Sequence, residues 1–188
     1  MLHFLLYLTD YLEKNVFRHK SMEIIKAQKE QAPAIFNVLK ACAIDMRSKG
    51  IMQWNENYPT PVHVANDLEA DNLYIATENG AVAGVISIDD RQSPEYKAID
   101  WQFTTGRIMV VHRLAVSPAF QKRGLGRKLM DFALEHAITN DYSAIRLDAY
   151  SLNDRTIKFY KNRGYHYRGD IYFAYRDAPF FCFEKKIK

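Results

Sequence analysis

Cysteine is nearly absent from this chain of 188 residues: Cys42 and Cys182 stand alone. Neither belongs to a C-x-x-C pair, so neither the spacing of a structural zinc site nor a disulfide framework is present. Both sit among apolar neighbours, as buried thiols do, and a reducing cytoplasm is the natural setting for such a chain. Long apolar runs are missing too. His3 to Leu8 is apolar, but Asp10 and Glu13 close the run well short of a bilayer span. It also lacks the basic flank and small-residue cleavage site of a signal peptide. An excess of one charge is missing: 26 Lys and Arg face 22 Asp and Glu, a net +4. A nucleic-acid binder carries a dense basic stripe, whereas the basic cluster here is confined to residues 122–128. Repeats, low-complexity tracts and linkers are absent, as are the G-x-x-x-x-G-K-[ST] and G-x-G-x-x-G fingerprints of nucleotide binders. What remains is 48% hydrophobic and 26% charged, the profile of one globular domain large enough to bury a sizeable core.

The stretch from Val111 to Asn140 carries most of the information. A run rich in β-branched residues, Val111 to Val116, is stopped by Ser117-Pro118. Gln121-Lys122-Arg123-Gly124-Leu125-Gly126-Arg127-Lys128 follows, and then Leu125, Leu129, Phe132, Ala133, His136 and Ala137 recur on one face of a helix that Asn140 ends. The first turn of a helix points free N–H groups outward and carries partial positive charge, and glycine lets an anion reach the backbone. The segment therefore predicts a polyphosphate site.

The remaining pattern predicts an α/β (α+β) domain. Glu23 to Lys29 reads as a strand, and Ala32 to Lys49 as a helix with Ile35, Val38, Leu39, Cys42 and Met46 inward. A second helix opens with Thr60 as N-cap and Pro61 at its first position, and runs to Asp71. Leu73 to Glu78, Asn79-Gly80 and Ala81 to Asp89 form a hairpin signal. Strands are expected at 108–116, 144–149, 165–175 and 178–185, and a short helix at 154–163.

Leu114 to Pro118 followed by Gln121 to Gly126 resembles the central acyl-CoA motif of the GNAT superfamily of N-acetyltransferases. A second block, Asn153 to Tyr165, is similar to that family's next motif: an Asn opens a helix that carries Tyr160 and ends at Gly164-Tyr165. The resemblance spans residues 22–188, the expected N-acetyltransferase domain. It implies a mixed, twisted sheet of six to seven strands with about four flanking helices. Residues 1–21 form an extension: either an added helix packing on the domain or on a second subunit of a homodimer, or a stretch before a true start at Met22.

The resemblance further implies an enzyme that moves an acetyl group from acetyl-CoA, without a metal, to a primary amine of a small molecule, an amino acid or a peptide N-terminus, by direct attack in a ternary complex. The backbone of Leu114, Ala115 and Val116 would pair with the pantetheine amides where two strands splay. Gln121, Lys122, Arg123, Gly124, Leu125, Gly126 and Arg127 would wrap the pyrophosphate, with Arg123 in direct contact and Lys128 on a solvated face. Asn153 N-caps its helix and contacts the cofactor. Tyr160 would protonate the leaving thiolate, since a phenol keeps its proton at pH 7; packing in the core beside Ile157 and Phe159 is the alternative. His112, placed by alternation on one face with Val110, Leu114 and Val116, is the candidate general base; a half-buried His bonded to a neighbouring strand is the alternative. Asp148, Glu95 and Asp100 are further candidates. Loops 51–61 and 91–103 would carry specificity, with Trp54, Tyr58 and Trp101 either an aromatic wall or lid packing. Two other functions compete: a non-catalytic CoA-binding or regulatory module on the same fold, and a nucleotide-binding domain of another class.

Overall fold

The computed structural model describes residues 22–174 and 176–188; the N-terminal extension lies outside the described residues. Strand β1 (Glu23–Lys26) leads through a short turn into helix α1 (Ala32–Arg47), and helix α2 (Pro61–Glu69) follows an irregular loop. The hairpin β2 (Leu73–Glu78) and β3 (Ala81–Asp89) precedes β4 (Arg107–Val116), α3 (Leu125–Thr139), β5 (Tyr142–Tyr150), α4 (Asp154–Lys161), β6 (His166–Ile171) and β7 (Phe180–Lys186). The seven strands form one mixed sheet in the order β1-β2-β3-β4-β5-β7-β6. Every neighbouring pair is antiparallel except β4 and β5, which run parallel across the α3 crossover.

Local chemistry explains most boundaries. Asn79 and Gly80 both take positive φ, 52° and 80°, as a two-residue hairpin turn requires. Thr60 caps α2 with His63 standing where Glu or Gln usually completes the capping box, its Nδ1 accepting from the Thr60 N–H at 3.1 Å. β1 is shorter than expected because the chain turns at Lys29–Gln31 so that Pro33 can enter the first turn of α1. The strand expected over 165–175 stops at Ile171.

Helices α3 and α4 cover one face of the sheet. Leu125, Leu129, Met130 and Ala133 of α3 and Ile157 and Tyr160 of α4 pack on Met109, Val111, Ile145, Leu147 and Phe183. On the other face α1 and α2 bury Ile35, Val38, Leu39 and Val64 against Ile75, Val85 and Ala115. Beside them Tyr96, Trp101, Val110, Tyr150, Phe180 and Cys182 form a third cluster over the β5–β7 half. No helix among the described residues is long and apolar enough to cross a membrane.

Candidate active site

The site begins with a defect in the sheet. β4 pairs with β5 only as far as Val111 and Leu147, although β4 continues to Val116 and β5 to Tyr150. Beyond that pair the two strands part. The β3 register also slips there: Arg113 faces Ser87 and Val111 faces Ile88, so His112 is the extra residue of a β-bulge. A cleft of about 390 Å³ opens at the notch. It is lined by Val111, His112 and Leu114 to Val116 of β4, by Asp148 of β5, by Asn153, Arg155, Thr156, Phe159 and Tyr160 around α4, and by Cys42, Asp45 and Met46 of α1 with Lys49 just beyond it.

The loop into α3 forms the mouth of this cleft. Lys122 and Gly124 both adopt positive φ, 62° and 79°. Alternation of left-handed with ordinary residues turns successive N–H groups toward one point and makes an anion nest. Among the described residues no backbone N–H from Lys122 through Arg127 has a hydrogen-bond partner; internal pairing resumes when the Lys128 N–H donates to the Gly124 carbonyl at 3.2 Å. The first turn of α3 holds no acidic residue. Gln121, Lys122, Gly124, Leu125, Gly126 and Arg127 line the cleft, and a Cβ on Gly126 would stand 3.8 Å from Val116 Cγ2, inside the mouth.

Arg123 departs from expectation. Its guanidinium makes a two-pronged pair with Glu78 at 2.8 and 3.0 Å and does not line the cleft. This is the fork-to-fork geometry of an arginine–carboxylate pair. Arg155, whose Nη1 donates to Gln121 Oε1 at 3.4 Å, is a cleft cation that sequence reasoning missed.

Alternation misplaces Leu114 and Val116, which it groups with Val110 and His112. The bulge shifts the strand by one residue, so Met109, Val111, Leu114 and Val116 face α3 and α4 while Val110 and Ala115 face the other way. His112 is half-buried on the cleft, its Nε2 2.6 Å from Asp89 Oδ1. Asp89 is fixed from three sides: Asn72 Nδ2 at 2.7 Å, Arg91 Nε at 2.7 Å and the Arg91 N–H at 2.8 Å. Burial alone would raise this carboxyl, but the hydrogen bonds and charge of His112 and Arg91 outweigh it and hold it well below the usual carboxylate range. An ionised Asp89 accepts from Nε2–H and leaves Nδ1 as the proton acceptor.

Tyr160 projects from α4 into the cleft, packed between Phe159, Tyr165 and Phe183. Burial pushes its hydroxyl well above the usual phenol value, so it stays protonated at neutral pH. Asn153 caps α4, its side-chain oxygen accepting from the Thr156 N–H at 3.3 Å, while its Nδ2 donates to Gln53 Oε1 at 2.9 Å. Trp54 lines the cleft. Tyr58 instead meets Arg113 Nη1 at 2.9 Å, and Trp101 lies under Arg146 at 4.2 Å with its Nε1–H on the Tyr96 carbonyl, so both pack loops onto the sheet. Glu95 is engaged by Ser93.

Residues 33–165, well over half of the chain, match the acetyltransferase (GNAT) family. An uncharacterized N-acetyltransferase of Bacillus subtilis (strain 168), YesJ, is 25% identical over 160 residues, covering 84% of this chain and 86% of that one. The crystal structure of a GNAT-family acetyltransferase from Streptococcus agalactiae 2603 superposes with a TM-score of 0.78 at 22% identity, covering 90% of this chain and 98% of that one. The PaiA N-acetyltransferase of Thermoplasma acidophilum, solved in complex with coenzyme A, superposes at 0.67 and 16% identity, over 88% of this chain and 99% of that one.

Proposed function

Because this chain belongs to the acetyltransferase (GNAT) family, we propose that its cleft holds acetyl-CoA and that the enzyme transfers the acetyl group to a primary amine. The observation that carries this reading is the run of N–H groups from Lys122 through Arg127, without a partner among the described residues, at the mouth of a notch between parted strands. The coenzyme A held by PaiA supports it. When bound, acetyl-CoA supplies an acetyl group activated as a thioester.

The chain's own residues do the rest. The N–H groups of 122–127 meet the pyrophosphate, with Lys122, Arg127 and Arg155 adding charge. The backbone of Leu114, Ala115 and Val116 is not paired to β5 and offers amide partners to an extended chain, with the Val116 carbonyl already held by Gln121 and Cys42. His112, oriented by Asp89, takes a proton from the amine through Nδ1. Tyr160 donates its proton to the departing thiolate. The free thiols Cys42 and Cys182, both buried, support a reducing cytoplasmic setting.

The test is a titration of acetyl-CoA by calorimetry, with ATP and NAD as competitors, followed by thiol release across a panel of primary amines. Acetyl-CoA binding that neither nucleotide displaces, with amine-dependent thiol release, is expected. Displacement by ATP or NAD would overturn the cofactor assignment, and binding without thiol release from any amine would favour a non-catalytic module.

A further inference from the structure

The buried acids of this fold come with cations. Asp67 holds Arg113, and Glu184 holds Arg146 and Arg168. Asp148 is different. It follows Leu147, the last β5 residue paired to β4, and so stands at the apex of the notch across from His112. Alternation along β5 sends Ile145, Leu147 and Ala149 to the α3/α4 face and Asp148 to the opposite one, where the Tyr96 hydroxyl donates to its Oδ2 at 2.8 Å. Among the described residues no lysine or arginine pairs with it and nothing else bonds to its carboxylate, which opens on the cleft.

A part-buried carboxylate that faces a cleft without a counter-ion is placed to take a cation from solution. We propose that Asp148, held by Tyr96, is the binding site for the acceptor, which enters from the face opposite α3 and α4 as the ammonium form of an aliphatic primary amine. This rests on the acetyl-transfer reading above and names its acceptor. The ammonium supplies the cation that Asp148 lacks and sets its nitrogen between Asp148 and His112. One N–H proton passes to His112 Nδ1, and the bonding pair stays on nitrogen. His112 releases that proton to solvent; the pair forms the N–C bond to the acetyl carbon as the C–S bond breaks, His112 Nδ1 takes the second N–H proton to leave a neutral amide, and the thiolate takes the Tyr160 proton, which solvent replaces. Burial raises the Asp148 carboxyl to about 6, Tyr96 and His112 pulling it down and Glu95 pushing it up. Tyr160 from α4 and Cys182 from β7 face it as well, both neutral near pH 7 because burial raises them. Asp148 is therefore ionised, and able to hold a cation, above that pH.

The experiment compares Asp148→Asn with the unaltered enzyme, using phenethylamine and cadaverine as cationic acceptors and trifluoroethylamine as one that is mostly uncharged at pH 8. The variant should raise KM for the two cations roughly 10- to 100-fold. KM for trifluoroethylamine and Kd for acetyl-CoA should stay within about twofold, since only the charge-assisted contact is lost. In the unaltered enzyme KM for phenethylamine should climb as pH falls through about 6, and in the variant it should not. Tyr96→Phe, which removes a bond that pulls the carboxyl down, should move that climb to higher pH and keeps the test open if Asp148→Asn fails to fold. An equal KM rise for charged and uncharged amines, or a pH climb unchanged in either variant, would overturn the assignment. An enzyme that binds acetyl-CoA but acetylates none of the three amines overturns the acceptor class alone. Failure to bind acetyl-CoA overturns the underlying reading and this one with it.

Discussion

Replacing Gly126 by alanine should separate stability from cofactor binding. Gly126 lies in the first turn of α3 with ordinary helical backbone, and an added Cβ would meet Val116 Cγ2 at 3.8 Å and Phe159 Cζ at 4.0 Å, both ordinary contacts. The folded chain therefore accepts the methyl group, and the unfolded chain loses glycine's freedom, a gain of about 0.5–1 kcal/mol. For a domain of this size that raises Tm by roughly 1–4 °C. The same methyl group occupies the cleft mouth beside the N–H nest. Loss of one charge-assisted hydrogen bond to a phosphate costs about 1.5–3 kcal/mol, or roughly 10- to 150-fold in Kd. Gly124→Ala is the control. Nothing lies within 4 Å of its Cβ, but its φ of 79° is left-handed, so the variant should lose about 1–2 kcal/mol through backbone strain alone. Thermal unfolding without ligand and calorimetric titration with coenzyme A read both effects. A Gly126→Ala protein that is more stable and binds coenzyme A unchanged would refute the nest as the pyrophosphate site. One that is destabilised would refute the packing argument.

Tyr160→Phe removes only the hydroxyl, and kcat should fall by about 10²-fold while acetyl-CoA Kd holds, measured by steady-state kinetics and calorimetry. Asp67→Ala leaves the buried Arg113 guanidinium without its carboxylate and should cost about 3–5 kcal/mol, a fall in Tm of at least about 6 °C by calorimetry. Asp148 predicts a pH dependence of stability. Its carboxyl rises from 3.8 to about 6 on folding, so the folded state binds more protons between those values and stability falls as pH rises through them. Asp148→Asn should therefore be the more stable protein at pH 7.5, by at most about 3 kcal/mol, and show little difference at pH 4, in paired thermal melts.

Local chemistry was legible in the sequence, and pairing across the sheet was not. Asn79-Gly80, Thr60-Pro61 and the one-sided face of α3 act through near neighbours, so they read correctly from spacing alone. The glycine loop read correctly as a helix mouth for the same reason. The face of Leu114 and Val116 misread because a bulge depends on the strand opposite: β3 slips by one residue at Ser87/Ile88, and no local pattern in β4 announces it. The Arg123–Glu78 pair was not legible because Glu78 comes from the β2–β3 hairpin, 45 residues away. Asp89 behind His112 and Tyr96 behind Asp148 were invisible as partners for that reason, although Asp148 itself stood among the candidates.

The notch also bears on how the acetyl group travels. Parting two strands exposes backbone groups that cost free energy if buried and unpaired. The chain covers one of them with its own side chains: the Val116 carbonyl accepts from Gln121 Nε2 at 3.1 Å and from the Cys42 thiol at 3.2 Å. Cys42 thus lines the cleft as a hydrogen-bond donor. Burial pushes its thiol up to about 12, so it is protonated across the range in which an amine is nucleophilic, and a thiol in that state is a poor attacking group. Among the described residues Cys42 is the one thiol on the cleft. A relay through an acetylated cysteine would require ionising a buried thiol beside a carbonyl oxygen, against both desolvation and the lost hydrogen bond. Direct attack by the amine, at the His112 and Asp148 site proposed above, meets neither cost, which is the physical argument for the proposed ternary complex in which both substrates are bound before the acetyl group moves.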